Sequence, residues 1–167
     1  LSRIAAKELV QRYCDTRHRF VPEIADVSLC GEGNGQLSVS IRGTEEHSLP
    51  QLRVSTDTAD HFVVTCLRPV EKGETFAVTL GRVDAEYPFV DRSSLHEREW
   101  SQVRFASNEE SDRTLAGFRT ARRALGRLGI QGTEVVIENL SLKGECIVHP
   151  REGARNHVGC WAFDHYT

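Results

Sequence analysis

The stretch "ETFAVTLGRV", residues 74–83, lies between two segments of similar build, and its reading decides the fold. Its apolar run stops at Gly81, and a short run of that kind bounded by glycine reads as a buried strand. Strands of this type often carry carboxylates to an active site. Here no acid stands between Glu74 and Asp84, so a buried strand with an uncharged end is the feature to be explained.

Toward the N-terminus, residues 1–14, "LSRIAAKELVQRYC", are strong helix formers with Ile4, Ala5, Leu9, Tyr13 and Cys14 roughly on one face. The segment 23–41, "EIADVSLCGEGNGQLSVSI", reads as two strands around a glycine-rich turn. "QLRVSTDTADHFVVTCL" supplies two further short strands with "TDTAD" as a polar corner, and "RPVEKGE" turns the chain into a strand over 75–83. Toward the C-terminus, 84–95 is irregular and 98–105 fits either helix or strand. "NEESD" (108–112) places capping residues and acids in front of a helical run. In that run Leu115, Phe118, Ala121, Leu125 and Leu128 form one stripe, and Gly129 ends it. "TEVVIENLSLKGECIVHP" (133–150) reads as a hairpin with a Lys-Gly turn, and 157–167 as a closing strand.

A helix, a strand, a glycine turn and a second strand thus occur at 3–41 and again at 113–149, where "GQLSV" from Gly35 answers "GECIV" from Gly144. The expected fold is α+β. It has two similar helix-plus-antiparallel-sheet halves, 1–70 and 71–167, related by pseudo-twofold symmetry and together forming one domain.

With 167 residues and 39% apolar content the chain can build a real core, and a net charge of −3 points to neither nucleic acid nor an anionic membrane as partner. No apolar run reaches the length of a membrane span and no signal-peptide pattern opens the chain, so a cytoplasmic location is expected. Cys14, Cys30, Cys66, Cys146 and Cys160 show no CxxC or Cys/His metal spacing and read as reduced, scattered thiols. The chain has no methionine, and its first residue already belongs to a helical pattern. A fragment of a longer polypeptide is expected, with the N-terminal part of its first half missing.

Several short strings resemble the 4′-phosphopantetheinyl transferase superfamily, in particular the pseudo-dimeric kind that serves or is fused to polyketide and peptide synthases. "SRIAAKELV" is similar to the family's "GRIAAK" helix and "ADVSLCGEGNGQL" to its following hairpin, with Gln36-Leu37 where a basic residue and proline are usual. "LRVSTDTADHFVV" takes the place of the Ser-His-Ser/Thr strand, "AVTLGRV" that of the Gly-Ile-Asp-x-Glu strand, and "SSLHEREWSQV" that of "LTxxEW". "FRTARRALGRLG" resembles the Trp-x-x-Lys-Glu-Ala helix with its trailing glycine. The resemblance spans nearly the whole chain and implies Mg²⁺-dependent transfer of phosphopantetheine from coenzyme A to a carrier-protein serine. In the family, acids of the strand and helix hold Mg²⁺ on the coenzyme A pyrophosphate, and the helix lysine or a metal-bound water handles the serine proton.

Carried over slot by slot, the family histidine falls on Thr58, the strand Asp and Glu on Thr79 and Gly81, the helix Lys and Glu on Ala121 and Arg122, and the "LTxxE" acid on Glu99. Glycine offers no ligand. A guanidinium repels a second unit charge about 4 Å away by roughly 4 kcal/mol at an effective dielectric near 20. The implication is a domain with neither metal nor proton-transfer group, a pseudoenzyme surviving as a structural or carrier-protein-docking module. The alternative is an active transferase using coenzyme A and Mg²⁺ through Asp84 and Glu86 of "VDAEYP", which requires a five-residue strand slip that turns the other face inward.

Other candidates have both a sharp and a plain reading. Arg119, Arg123 and Arg127 recur every four residues and would suit an acidic acyl or peptidyl carrier protein or a neighbouring synthase domain, or else form a solvated face balanced by Glu109, Glu110 and Asp112. Arg3 and Lys7 match basic positions that can meet the 3′-phosphate of coenzyme A in the family, or are exposed helix residues. Glu97 and Glu99 could act as catalytic bases, but "HEREW" fits a charged surface over a packed Trp100. His61, His149, His157 and His165 show no ligand spacing.

Overall fold

In the computed structural model the described residues are 2–32, 35–44, 49–71, 75–83, 95–130, 136–138, 140, 143–149 and 156–161. The chain divides into two units, Leu1–Thr79 and Leu80–Thr167, each α+β with an antiparallel sheet.

Ala6, Val10 and Cys14 repeat every four residues, which sets one apolar edge on a helix. That helix, α1 (Ser2–His18), buries all three, which corrects the expected face of Ile4, Ala5, Leu9, Tyr13 and Cys14: only Cys14 of that set is buried, and Ile4 is exposed. It runs four residues past the expected end, with Arg17 and His18 in its last turn, where cations favour the helix dipole. The helix stops where Arg19 adopts a left-handed φ of 55°. The chain then returns along α1, held by Lys7 Nζ donating to the Ile24 carbonyl at 3.0 Å and Gln11 Nε2 to that of Pro22 at 2.7 Å.

Four strands follow, β1 (Val27–Gly31), β2 (Gln36–Ile41), β3 (Leu52–Ala59) and β4 (Phe62–Pro69), paired in that order. Alternation sends Val27, Leu29, Leu37, Val39, Ile41, Val54 and Leu67 to the face that α1 covers, and they close the first core around Ala6, Val10 and Cys14. The other face carries Ser28, Cys30, Gln36, Ser38 and Ser55, in register as Ser28↔Ser40, Cys30↔Ser38 and Gln36↔Ser55. The "TDTAD" corner of the sequence reading is corrected here. Thr56–Ala59 continue β3, paired down to Ala59↔Phe62. Asp60, at φ 51°, makes the turn with His61 because the left-handed region favours Asp over a β-branched Thr.

The expected strand over 75–83 does not form. Residues 75–81 join no ladder, and Arg82 makes one isolated bridge. Two backbone polar groups of this segment go instead to side chains of the sheet's outer face. Gln36 Nε2 donates to the Phe76 carbonyl at 2.7 Å, and the Val78 amide donates to Ser55 Oγ at 2.9 Å. The same attachments keep residues up to Thr79 with the first unit, beyond the 70/71 division read from sequence.

In the second unit, α2 (Glu97–Phe105) settles the ambiguity of 98–105 as helix. Its start is fixed by a reciprocal cap: the Arg98 amide donates to His96 Nδ1 at 3.2 Å and the His96 amide to Glu99 Oε2 at 3.0 Å. The next helix, α3 (Asn108–Arg127), begins after Ser107, so "NEESD" forms its first turns instead of preceding it. It ends in a Schellman motif, with Ile130 N to Leu125 O and Gly129 N to Gly126 O both 3.0 Å and Gly129 at φ 78°. Leu95, Val103, Phe118, Ala121, Leu125 and Ile137 form this unit's buried core, with Trp100, Leu115, Ile130 and Leu140 against it.

Three antiparallel strands complete the unit, β5 (Val136–Glu138), β6 (Lys143–His149) and β7 (Asn156–Trp161). The expected Lys-Gly turn is corrected. Lys143 and Gly144 are strand residues paired with Trp161 and Cys160, and the hairpin reverses between Glu138 and Lys143. Beyond Trp161, the expected closing strand lies outside the described residues.

Candidate functional site

Two residues that the sequence places in separate motifs meet inside the second unit. Glu99 projects from α2 and is fully buried. Its Oε2 accepts from Arg122 Nη2 at 2.7 Å, from Arg122 Nε at 3.1 Å and from the His96 amide, while Oε1 accepts from the Ile137 amide at 2.9 Å. Four donors thus reach the carboxylate, three at Oε2 and one at Oε1. The pair joins α2, α3 and β5 at one point.

The arrangement follows from local rules. Glu99 occupies the third helical position, where a carboxylate can reach back to the N-cap amide. Three residues on, Gln102 shares its face of α2, and the two side chains satisfy the edge strand β5. Glu99 takes the Ile137 N–H, and Gln102 Nε2 donates to the Ile137 carbonyl at 3.4 Å while its Oε1 accepts from the Leu140 amide at 3.2 Å. Unpaired edge groups buried against a helix cost free energy unless such partners exist. The charged-surface reading of "HEREW" therefore fails at Glu99 and holds at the exposed Glu97 and Arg98.

The charge argument at Arg122 also changes form. Its guanidinium is neutralised by Glu99 and does not stand as a loose cation. Among the described residues Glu99 is the one buried acid, and a cation could reach it only by displacing the guanidinium that already balances its charge.

The remaining family slots fall in both units. Ala121 is 3% exposed and packs in the core, so a lysine there would have no route to a substrate. Thr58 is an exposed residue of β3, and Thr79 and Gly81 are half-buried in the segment without a ladder. Asp84 and Glu86 lie outside the described residues. Among the described residues, no group of three or more His, Cys, Asp or Glu could hold a metal ion. At the described slots, Thr79, Gly81 and Ala121 offer no carboxylate to a Mg²⁺–coenzyme A centre.

Arg119 and Arg123 are exposed and Arg127 half-buried on α3, and the Arg123 guanidinium donates to the Leu80 carbonyl. Arg3 is exposed, while Lys7 holds the Ile24 carbonyl. An open groove of about 310 Å³ lies on α1, lined by Glu8, Gln11, Arg12, Asp15 and Val21. Its charges are mixed, and neither Arg3 nor Lys7 lines it.

Burial pushes the Cys14 thiol above its ordinary value. Burial also raises Cys66, which Arg68 partly offsets. Neither is an activated nucleophile, since activation needs a lowered pKa. Cys30 is exposed. His61 is exposed in the β3–β4 turn, His149, His157 and His165 have no described side chains, and the unforeseen His96 is a helix cap.

No protein-family model, no curated protein and no solved structure matches the chain. Among the described residues no helix is long and apolar enough to cross a membrane.

Proposed function

We propose that the chain is a phosphopantetheinyl-transferase-like domain of a polyketide-synthase-type megasynthase, a pseudoenzyme that serves as a structural or carrier-protein-docking module. The observation that carries this reading is the Glu99 carboxylate, fully buried and held by Arg122 and two backbone amides. Pyrophosphate-bound Mg²⁺ needs carboxylate oxygens it can reach, and Glu99 is fully buried with its charge taken up by Arg122. Ala121 in the core removes the proton-transfer group as well.

The docking half rests on α3. Arg119, Arg123 and Arg127 repeat at four-residue spacing with Arg119 and Arg123 exposed, a basic row that complements an acidic carrier helix. Charge complementarity of this kind governs association rate and register, so the contact should weaken with salt.

Apo carrier protein incubated with the chain, coenzyme A and Mg²⁺ is expected to yield no holo-carrier. Calorimetric titration with coenzyme A is expected to show no Mg²⁺-enhanced binding. Carrier-protein binding is expected to fall with salt and in Arg119→Glu. Turnover that disappears in Asp84→Ala would replace this reading with an active transferase using Asp84 and Glu86.

A further inference from the structure

We infer that residues 75–79 are a latch: an extended strap, gripped through its main chain by side chains of the first unit's sheet, that opens without unfolding the sheet beneath it. The inference is independent of the proposed function.

Gln36 and Ser55 are direct cross-strand partners on β2 and β3, buried although polar at 5% and 0% exposure. Buried polar side chains require partners, and both find theirs in the strap. The Gln36 amide takes the Phe76 carbonyl and the Ser55 hydroxyl takes the Val78 amide. In an extended segment the carbonyl of one residue and the amide two residues on point the same way. The pair therefore reads a backbone edge and not the side chains of the strap.

A third contact fixes the position along the sheet. Arg53 and Arg68 stand opposite one another on β3 and β4, and like charges so placed destabilise a sheet. Glu32 lies 3.0 Å from Arg53 Nε, an ionic contact without hydrogen-bond alignment. The Arg68 guanidinium instead lies over the Phe76 ring, 5.8 Å from its centre. Cys66 faces Ser55 across the strands and is two residues from Arg68, so the side chains flanking it both hold the strap.

The core on the opposite face is built from α1 and β1–β4 without any strap residue. Rotating Ser55 or Gln36 thus breaks the grip and leaves both ladder and core intact. The strap ends at Thr79, the last residue of its unit.

Amide hydrogen exchange and iodoacetamide labelling of the whole chain test this. In Ser55→Ala the Val78 amide should exchange roughly two- to twelvefold faster, the span of one net hydrogen bond. Amides of the β2–β3 ladder should not change, and Cys66 should label faster while Cys14 stays protected. Gln36→Ala should do the same, whereas Ala77→Ser should alter nothing. If the ladder amides and Cys14 accelerate together with Val78, or if Val78 does not respond, the strap is no latch.

Discussion

Replacing Arg122 by methionine tests whether the Glu99 pair is the tie of the second unit. The substitution keeps most of the side chain's length and removes the guanidinium. Glu99 then loses two of its four donors, those at 2.7 and 3.1 Å, and the countercharge Arg122 supplies, while remaining fully buried. Removing one partner of a buried ion pair costs about 3–5 kcal/mol, a large part of the roughly 5–15 kcal/mol that holds a typical domain. Glu99→Gln should cost less, about 1–3 kcal/mol. Its amide oxygen can still accept one backbone N–H, and the Arg122 side chain, 17% exposed, can turn toward water. Once the charge is gone Arg122 has less to lose, so the double variant should cost less than the sum by about 1–3 kcal/mol. Urea denaturation followed by tryptophan fluorescence reads this unit alone, because Trp100 and Trp161 are the chain's two tryptophans and both belong to it. An Arg122→Met cost below about 1 kcal/mol, or strict additivity, would refute a buried tie.

Ala121→Lys restores the family lysine but places an ammonium in a core position 3% exposed. It should destabilise the second unit by about 3 kcal/mol or more and create no transferase activity, as melting and a holo-carrier assay would show. Gly129→Ala should cost about 1–2 kcal/mol in the same urea experiment. An added Cβ meets nothing within 4 Å, so the cost comes from the φ of 78° alone. The raised thiol of Cys14 stabilises the first unit fully below the unfolded thiol value near 9.0, and that contribution is lost as pH rises through the higher folded value. Urea midpoints of wild type should therefore fall more steeply than those of Cys14→Ala as pH rises above about 9.

A non-catalytic reading and a carrier-docking reading stand or fall separately. Burial of Glu99 against Arg122 bears on the chemistry, and the α3 arginines bear on the partner. A chain that binds carrier protein without modifying it would satisfy both. One that does neither would keep its structural role in the second unit and lose the family assignment its strings suggest.

Patterns confined to neighbouring residues were legible in the sequence. The apolar stripe of α3 and its stop at Gly129, the existence of the first helix though not its buried face, and the four strands between Val27 and Pro69 each follow from a period or a turn residue read within one short window. The α+β class followed from them. The capping pattern of His96 and Glu99 was also present in the sequence, although only the backbone of β5 reveals that the same carboxylate serves a second master.

What the tertiary structure alone decided is where backbone hydrogen bonds go when no strand is beside them. "AVTLGRV" has the composition of a buried strand. Whether it pairs depends on whether a ladder edge or a polar sheet face is next to it, and Gln36 and Ser55, dozens of positions upstream or more, supplied the face. Likewise nothing local could pair Glu99 with Arg122. A charge is tolerated in a core only when a partner arrives from elsewhere in the chain, and sequence distance carries no record of that meeting.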